Sequence, residues 1–132
     1  MKRIVVDVRP GTYSACRLSP NAVLPPELMR SADMVSVTRT ADELSIICPE
    51  ENVALLPTEA RISAGWRLLT VRGPLEFTLT GIMAALSAAL AAAGVTLFAL
   101  STFDTDHLLV RSSDLERAVR ALRAGGHEVH SA

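Results

Sequence analysis

The stretch GPLEFTLTGIMAALSAALAAAGVTLFALSTFDTDHLLVRSSDLERAVRALRAGGHEV, residues 73–129, decides the fold, because helical and strand patterns alternate along it. In its first segment, TLTGIMAALSAALAAAG, apolar residues recur three or four apart, which predicts a helix with one buried face. The residues on this face are Leu79, Ile82, Met83, Leu86 and Leu90. Thr78 is the predicted N-cap of this helix, and Gly94 is its predicted stop signal.

Two strands, a second helix and a last strand are predicted after the first helix. The apolar runs at 95–101 and 107–111 predict the strands, and Gly125-Gly126 predicts the end of the helix that follows them. Ser113 and Glu116, three residues apart, fit a capping box at the start of that helix. The segment HEV can supply the last strand.

A further strand is predicted within 62–72, just before the first helix. From Gly65 onward the order is therefore strand, helix, strand, strand, helix, strand. This is the order of the split βαβ fold, in which two helices cover one side of an antiparallel sheet. The second half of the chain is thus predicted to be an α+β domain.

The first half is predicted to contain short strands and short helical segments. Ile and Val dominate residues 2–8, which predicts a strand ended by the turn signal Pro10-Gly11. Residues 13–18 can pair back on this strand as a hairpin, and two more strands are predicted at 34–38 and 44–48. The segments PPELMRS and PEENVALL each predict a short helix that begins near a proline.

The two halves of the chain are similar to each other. VTRTADELSIICPEE (37–51) lies alongside LSTFDTDHLLVRSSD (100–114), with hydroxyl residues, a turn, an apolar run and an acidic helix start in the same order. This similarity predicts a tandem repeat of two ferredoxin-like βαββαβ halves. The predicted domains are an N-terminal half at 1–64 and a C-terminal half at 65–132, with a strand around 66–72 at the junction.

Composition argues against nucleic acid and membranes as partners. The chain has 132 residues with a formal net charge of −1, and only 4% of them are aromatic, so the basic face and stacking aromatics of nucleic-acid-binding proteins are not expected. Residues 77–103 carry no charge, but alanine dominates them and Gly94 interrupts them. A helix followed by a buried strand accounts for this run better than a membrane span, and a cytoplasmic location is expected.

Catalytic and metal-binding patterns are weak. Cys16 and Cys48 lie in apolar strand-like segments, which is typical of buried free thiols in a reducing compartment rather than of reactive ones. Asp104, Asp106 and His107 could be metal ligands, but the sequence shows no distant partner cluster to complete such a site. We therefore expect no enzyme activity, no metal and no cofactor.

The segment STFDTD, residues 101–106, places polar residues between two apolar strands. One interpretation is a solvated turn, which favours Asp and Thr for their backbone hydrogen bonds. The other is a site for a small zwitterion. In that case the helix start at Gly81 donates N–H groups to a carboxylate, and Asp106 or Asp104 accepts from an ammonium. On an extended segment these two aspartates point the same way, while Gly81 taken alone could be a packing glycine.

Residues 73–129 resemble the ACT-domain superfamily, and within it the small tandem-ACT proteins related to the eukaryotic cytosolic arginine sensor. SVTRTADELSIICPEE, residues 36–51, resembles the first-half signature of the same branch. The resemblance implies two ACT-like halves in one chain, with an amino acid bound between two modules. The residues implied for the site are Leu79, Thr80, Gly81 and Ile82, then Thr102, Phe103 and Asp106, and Ser36, Val37 and Thr38 in the first half.

The resemblance also implies the role of each group. The backbone around Gly81 holds the ligand carboxylate, Asp106 with Thr102 holds the ammonium, and Leu79 with Phe103 shapes the side-chain pocket. Where the arginine sensor has an acidic residue in its strand-helix loop this chain has Leu79, which favours a smaller or apolar side chain over arginine. A homodimer or a regulated partner protein is expected because ACT sheets commonly pair side by side. The alternative is a structural or interaction module of the same fold that binds no metabolite.

Overall fold

A computed structural model describes residues 4–73 and 81–131 of the chain. The strands in these residues are β1 (Val5–Val8), β2 (Tyr13–Leu18), β3 (Ser36–Arg39), β4 (Leu44–Pro49), β5 (Arg61–Val71), β6 (Leu97–Ser101), β7 (Asp106–Arg111) and β8 (Glu128–Ser131). The α-helices are α1 (Ile82–Ala92) and α2 (Leu115–Ala124), and short 3-10 segments lie at Pro26–Arg30, Glu50–Leu55 and Ser112–Asp114. Within these described residues, no helix combines the length and the apolar character needed to span a membrane.

The chain forms two compact units. The N-terminal unit is Gly11–Trp66, and the C-terminal unit combines Met1–Pro10 with Arg67–Ala132. The boundary between Trp66 and Arg67 falls inside β5, so this strand contributes residues to both units. The mixed α+β class and the mostly antiparallel pairing of the strands confirm the predicted fold class.

The C-terminal unit has the predicted split βαβ arrangement with one strand added. From β5 onward the elements are strand, helix, strand, strand, helix and strand, in the order that the sequence predicts. The sheet order is β8-β1-β5-β7-β6, which is the ferredoxin-like order except that β1 lies between β5 and β8. The first strand of the chain is therefore a central strand of this sheet.

The predicted hairpin between 2–8 and 13–18 is wrong. Strand β1 pairs in antiparallel register with β5, Val6 opposite Val71, and in parallel register with β8, Val6 opposite Val129. A central strand satisfies its backbone N–H and C=O groups on both edges. The turn signal Pro10-Gly11 is compatible with either partner, so the local sequence does not reveal this choice.

Both helices pack against the same face of the C-terminal sheet. The buried residues of this core come from β1, β5, β7 and β8 and from the two helices. Helix α1 contributes Leu86 and Leu90, and α2 contributes Ala118 and Leu122, all with no exposed surface. Ile82 and Met83 pack against the same cluster. The predicted buried face of the first helix is thus confirmed for its described residues, and Leu79 lies outside them.

The starts of both helices differ from the prediction. Gly81 is the N-cap of α1, because the Ala85 N–H donates to the Gly81 carbonyl at 2.8 Å; Thr78 lies outside the described residues. At α2, a 3-10 turn over Ser112–Asp114 precedes the helix and Asp114 is the N-cap. No side chain of the described residues caps α2, so the predicted capping box of Ser113 and Glu116 does not form. Ser113 already has turn geometry there, whereas a capping residue needs an extended backbone.

The N-terminal unit repeats the same order of elements with shorter helical segments. Its strands are arranged β3-β4-β2-β5, which is again the ferredoxin-like order, and the 3-10 segments at Pro26–Arg30 and Glu50–Leu55 occupy the helix positions. The predicted tandem repeat is therefore confirmed. The predicted alignment of the two halves is off by one residue. It places Thr40 opposite Phe103, whereas in the structure Thr40 and Thr102 occupy the same position at the start of their turns.

Truncation of a buried leucine in the C-terminal core tests this packing. Leu108→Ala removes a side chain with 0% exposure, and the cavity that it leaves should lower the free energy of unfolding by about 2–5 kcal/mol. Leu55→Ala is the matched control, since Leu55 is 40% exposed and its truncation should cost well under half as much. Urea unfolding measures both. Equal losses for the two variants would contradict the assigned core.

Candidate functional site

The candidate site begins at the turn between β6 and β7. The Thr102 N–H donates to the Thr105 carbonyl at 2.8 Å, and the Thr102 hydroxyl donates to the same carbonyl at 3.2 Å. The Thr105 N–H in turn donates to the Thr102 hydroxyl oxygen at 3.4 Å. Thr102 therefore closes the turn from both sides, as Ser and Thr do in local side-chain to backbone motifs. Its hydroxyl thus donates one hydrogen bond and accepts one within the turn, and the oxygen keeps a second lone pair for another donor.

This turn is attached to the end of β5. The Thr105 hydroxyl donates to the Val71 carbonyl at 2.6 Å, and the Thr70 hydroxyl lies 3.1 Å from Nδ1 of His107. Both bonds join the last residues of β5 to the beginning of β7. The chain continues from Val71 toward Gly81 and α1. The turn and the strand-helix connection consequently leave the same end of β5.

Asp106 is the partly buried carboxylate of the turn. It is the first residue of β7, directly opposite Ser101 of β6, and the Ser101 hydroxyl donates to Oδ1 of Asp106 at 2.5 Å. A hydrogen bond to an ionised oxygen is stronger than one between neutral groups, so Ser101 fixes the direction of this carboxylate. Ser101 and Thr105 were not among the predicted site residues, although both belong to the STFDTD segment.

Asp104 and Phe103 lie at the exposed tip of the turn. Asp104 is in the bend and outside both strands, so the expectation that Asp104 and Asp106 point the same way does not hold. Phe103 is 79% exposed. The tip of this segment thus agrees with the solvated-turn interpretation, whereas Asp106 at its base is held by a specific partner.

Gly81 places an open helix start in the same unit. Its φ of +81° lies in the left-handed region, which residues with a Cβ rarely adopt, and no atom of the described residues lies within 4 Å of the position that a Cβ would take. Close packing against the described residues therefore does not require a glycine here. The first backbone N–H groups of an α-helix have no partner within the helix, so the start of α1 can donate to an anionic group.

The remaining predicted residues are divided between the units. Ile82 packs its side chain against the C-terminal core, which leaves its backbone N–H as the group that could face a ligand. Ser36, Val37 and Thr38 lie on β3 of the N-terminal unit, where Ser36 is opposite Ile47 and Thr38 is opposite Ser45. Leu79 and Thr80 lie outside the described residues.

The N-terminal unit contains a copy of the turn without its carboxylate. The Thr40 N–H donates to the Glu43 carbonyl at 2.9 Å, and the Glu43 N–H donates to the Thr40 hydroxyl at 3.2 Å, as in the turn of Thr102. At the position of Asp106 this copy has the buried Leu44, which is opposite Arg39. The repeat has therefore kept the turn in both units but has a carboxylate at the first position after the turn only in the C-terminal one.

His107 follows Asp106 and is half-buried beside it. Burial lowers the pKa of its imidazole below the ordinary value, because the charged form loses hydration; the Asp106 carboxylate opposes this shift and the Arg9 guanidinium adds to it. At neutral pH the imidazole beside the Asp106 carboxylate is therefore neutral, and the Arg9 guanidinium is a positive charge that acts on it.

The second half of the chain matches a known family. Residues 61–124 match the ACT domain family, and residues 11–55 match the N-terminal domain of a second described family. The protein Atu0741 from Agrobacterium tumefaciens, whose crystal structure is known, is 37% identical with a TM-score of 0.88; the match covers 100% of this chain and 96% of Atu0741. The chain belongs to the ACT-domain superfamily.

Two more distant structures share the fold of this ACT-domain chain. The Vibrio cholerae protein VC0802, a protein of unknown function, is 18% identical with a TM-score of 0.72 over 94% of this chain and 91% of its own. The regulatory subunit of aspartate kinase from Thermus thermophilus is 11% identical with a TM-score of 0.63 over 91% and 96%. At such low identity these likenesses concern the fold alone.

The lowered pKa of His107 can be measured directly. In the folded chain the ring should titrate below the ordinary histidine value of about 6.5, as followed by the NMR signals of its carbon-bound protons. The unfolded chain binds this proton more readily. The contribution of the neutral His107 to the free energy of unfolding is therefore complete above pH 6.5, and it is lost as the pH falls toward the folded pKa.

The control for this measurement is the same titration in urea, which should return the ordinary value. His107→Gln should remove the corresponding part of the pH dependence of the unfolding free energy. A folded midpoint at or above the urea value would contradict the assigned environment of the ring.

Proposed function

We propose that this chain is a non-catalytic regulatory module that binds a small free amino acid at its C-terminal ACT domain. The observation that carries the proposal is the position of Asp106 directly after the Thr102 turn. This turn is attached to the end of β5, and from that end the chain leads to the start of α1. A zwitterion needs both an acceptor and a set of donors, and the C-terminal unit contains one of each kind.

The ammonium group is assigned to Asp106. Its Oδ1 accepts from Ser101, and a carboxylate has further lone pairs on both oxygens for an ammonium donor. Asp104 is less suited because it lies exposed in the bend, where water competes for the same bond. Thr102 acts by closing the turn that carries these residues.

The carboxylate group is assigned to the backbone N–H groups at the start of α1, around Thr80, Gly81 and Ile82. The open space around the Cα of Gly81 lets a ligand approach the backbone closely. Leu79 and Phe103 are proposed to shape the side-chain pocket, and Ser36, Val37 and Thr38 are proposed to contribute from the N-terminal unit. With Leu79 in this role, a small or apolar amino acid is favoured over arginine, and the relation to the arginine-sensor branch stays a prediction.

Membership of the ACT superfamily supports a regulatory role. The Thermus thermophilus structure of similar fold is described as a regulatory subunit of aspartate kinase. Binding would shift an equilibrium of association, with a second copy of the chain or with a regulated protein, by the difference in affinity for two states. The domains proposed for this role are the halves 1–64 and 65–132. The proposed location of the protein is the cytoplasm.

The alternative is an interaction module that keeps the fold and binds no metabolite. The exposed Phe98 on β6 favours it, since β6 pairs only with β7 among the described strands and Phe98 is 42% exposed. A thermal-shift screen of the common amino acids separates the two functions. A ligand that binds only the native chain must raise the melting temperature, so no shift at millimolar concentrations would favour the interaction module.

Asp106→Asn tests the ammonium assignment. Loss of a charge-assisted bond should weaken binding of the amino acid found in the screen by about tenfold to a hundredfold in a calorimetric titration. Asp42→Asn is the control, because Asp42 occupies the corresponding bend of the N-terminal turn and should bind like the unchanged chain. Equal affinity of Asp106→Asn and the unchanged chain would remove Asp106 from the site.

Gly81→Ala tests the helix start against a matched variant. A left-handed alanine costs about 1–2 kcal/mol of stability, and Gly11→Ala should cost the same because Gly11 has a φ of +82° and equally open surroundings. Only Gly81→Ala should also weaken ligand binding, since its methyl group lies where the ligand approaches. If both variants bind with unchanged affinity, the carboxylate is not held at this helix start.

A further inference from the structure

Two cysteines lie side by side in the N-terminal unit. Cys16 is on β2 and Cys48 is on the neighbouring β4, and both are free thiols. In the antiparallel ladder Cys16 is opposite Ile46 and Cys48 is opposite Ser14. Residues two apart on a strand share a face, so both thiols project from the same face in adjacent pairs of the ladder.

The two thiols affect each other's ionisation. A hydrogen bond between their side chains lowers the pKa of the Cys16 thiol and raises the pKa of the Cys48 thiol, while burial raises both. Cys16 is therefore the sulfur that becomes a thiolate more readily, and Cys48 is its proton donor. A thiolate is the nucleophilic form of cysteine, so the pair is unequal in reactivity.

Ser14 supplies an independent observation beside the pair. It is 1% exposed, it lies directly opposite Cys48, and its hydroxyl oxygen has no hydrogen-bond partner among the described residues. A buried polar group without a partner is costly, and such groups in native proteins call for an explanation. Its position next to two sulfurs indicates a partner that is present only after the sulfurs have changed chemically.

Short 3-10 segments contribute to the buried cluster around this pair. The cluster includes Leu28 from the segment Pro26–Arg30 and Leu56, which follows the segment Glu50–Leu55. One or two turns of 3-10 helix hold few backbone hydrogen bonds, so they open locally at lower cost than an α-helix. A small reagent can reach the thiols through such openings without global unfolding.

We propose that Cys16 and Cys48 form a redox modification site, at which a hydroperoxide oxidises the two thiols to a disulfide between β2 and β4. The Cys16 thiolate attacks the terminal peroxide oxygen and the O–O bond breaks, which gives a sulfenic acid and releases an alcohol, or water from hydrogen peroxide. The Cys48 sulfur then attacks the Cys16 sulfur and the S–O bond breaks. The hydroxide leaves with the Cys48 proton as water, so two thiols are oxidised and one peroxide is reduced.

Ser14 is a positioning residue in this sequence of steps. The sulfenic oxygen is a new acceptor on the face that Ser14 shares with both sulfurs, and the Ser14 hydroxyl can donate to it. Forming a sulfur–sulfur bond of about 2.05 Å requires the two side chains to close the diagonal between adjacent pairs of the ladder.

The test exposes the reduced, folded chain to hydrogen peroxide and follows it by intact mass and peptide mapping. The expected product is a single chain that has lost two hydrogen atoms, in which the peptides with Cys16 and Cys48 are joined, and which dithiothreitol reverses. Cys48→Ser should stop at the sulfenic acid on Cys16, which dimedone traps, and Cys16→Ser should give much less of this adduct. Ser14→Ala should slow disulfide formation about fivefold, the factor for one hydrogen bond of about 1 kcal/mol.

The same reaction in urea controls for the reagent, since both thiols are accessible there. If peroxide leaves both thiols free in the folded chain while the urea-treated chain is oxidised, the cysteines are inert core residues and the proposal is overturned. Crosslinks between two chains instead of within one would overturn it as well. Because the assay uses no amino acid, it stands apart from the proposed ligand site.

Discussion

The fold depends on the need of β5 to satisfy its backbone hydrogen bonds along its whole length. This strand has eleven residues, and its first part pairs with β2 while its last part pairs with β1 and β7. A buried strand with an unpaired edge would leave polar groups without partners, at a cost of one to several kcal/mol for each. The pairing partners of β5 therefore determine which segments of the chain enter each sheet, including the unexpected β1.

The duplicated turn shows how one scaffold can carry different chemistry in its two copies. Thr40 and Thr102 close their turns with the same hydrogen bonds, so the backbone is held in the same way in both units. At the base of the turn one copy buries Leu44 and the other holds Asp106 through Ser101. Hydroxyl and backbone bonds thus provide the shape, and the residue after the turn decides whether a cation acceptor is present.

The prediction from sequence was accurate for periodic segments and for the class of the fold. The helix with Leu86 and Leu90 and the repeat of two βαββαβ halves were predicted because apolar spacing reports directly which face is buried. The start of α2 was not predicted correctly, and the turn-closing hydrogen bonds of Thr102 were not predicted at all. Both depend on backbone geometry that neighbouring residues impose, and the same letters suit a capping box or a 3-10 turn.

Sequence alone determined the α+β class, the ACT relation and the polar segment between two strands, since these follow from local patterns and from motif residues. Only the tertiary structure decided that β1 lies between β5 and β8, that Ser101 directs Asp106, and that Cys16 and Cys48 lie in adjacent pairs of one ladder. These are contacts between residues far apart in the chain or on opposite strands. The energies of these contacts depend on strand register and on burial. Register and burial are set by the partner strand, so no single segment of the sequence encodes them.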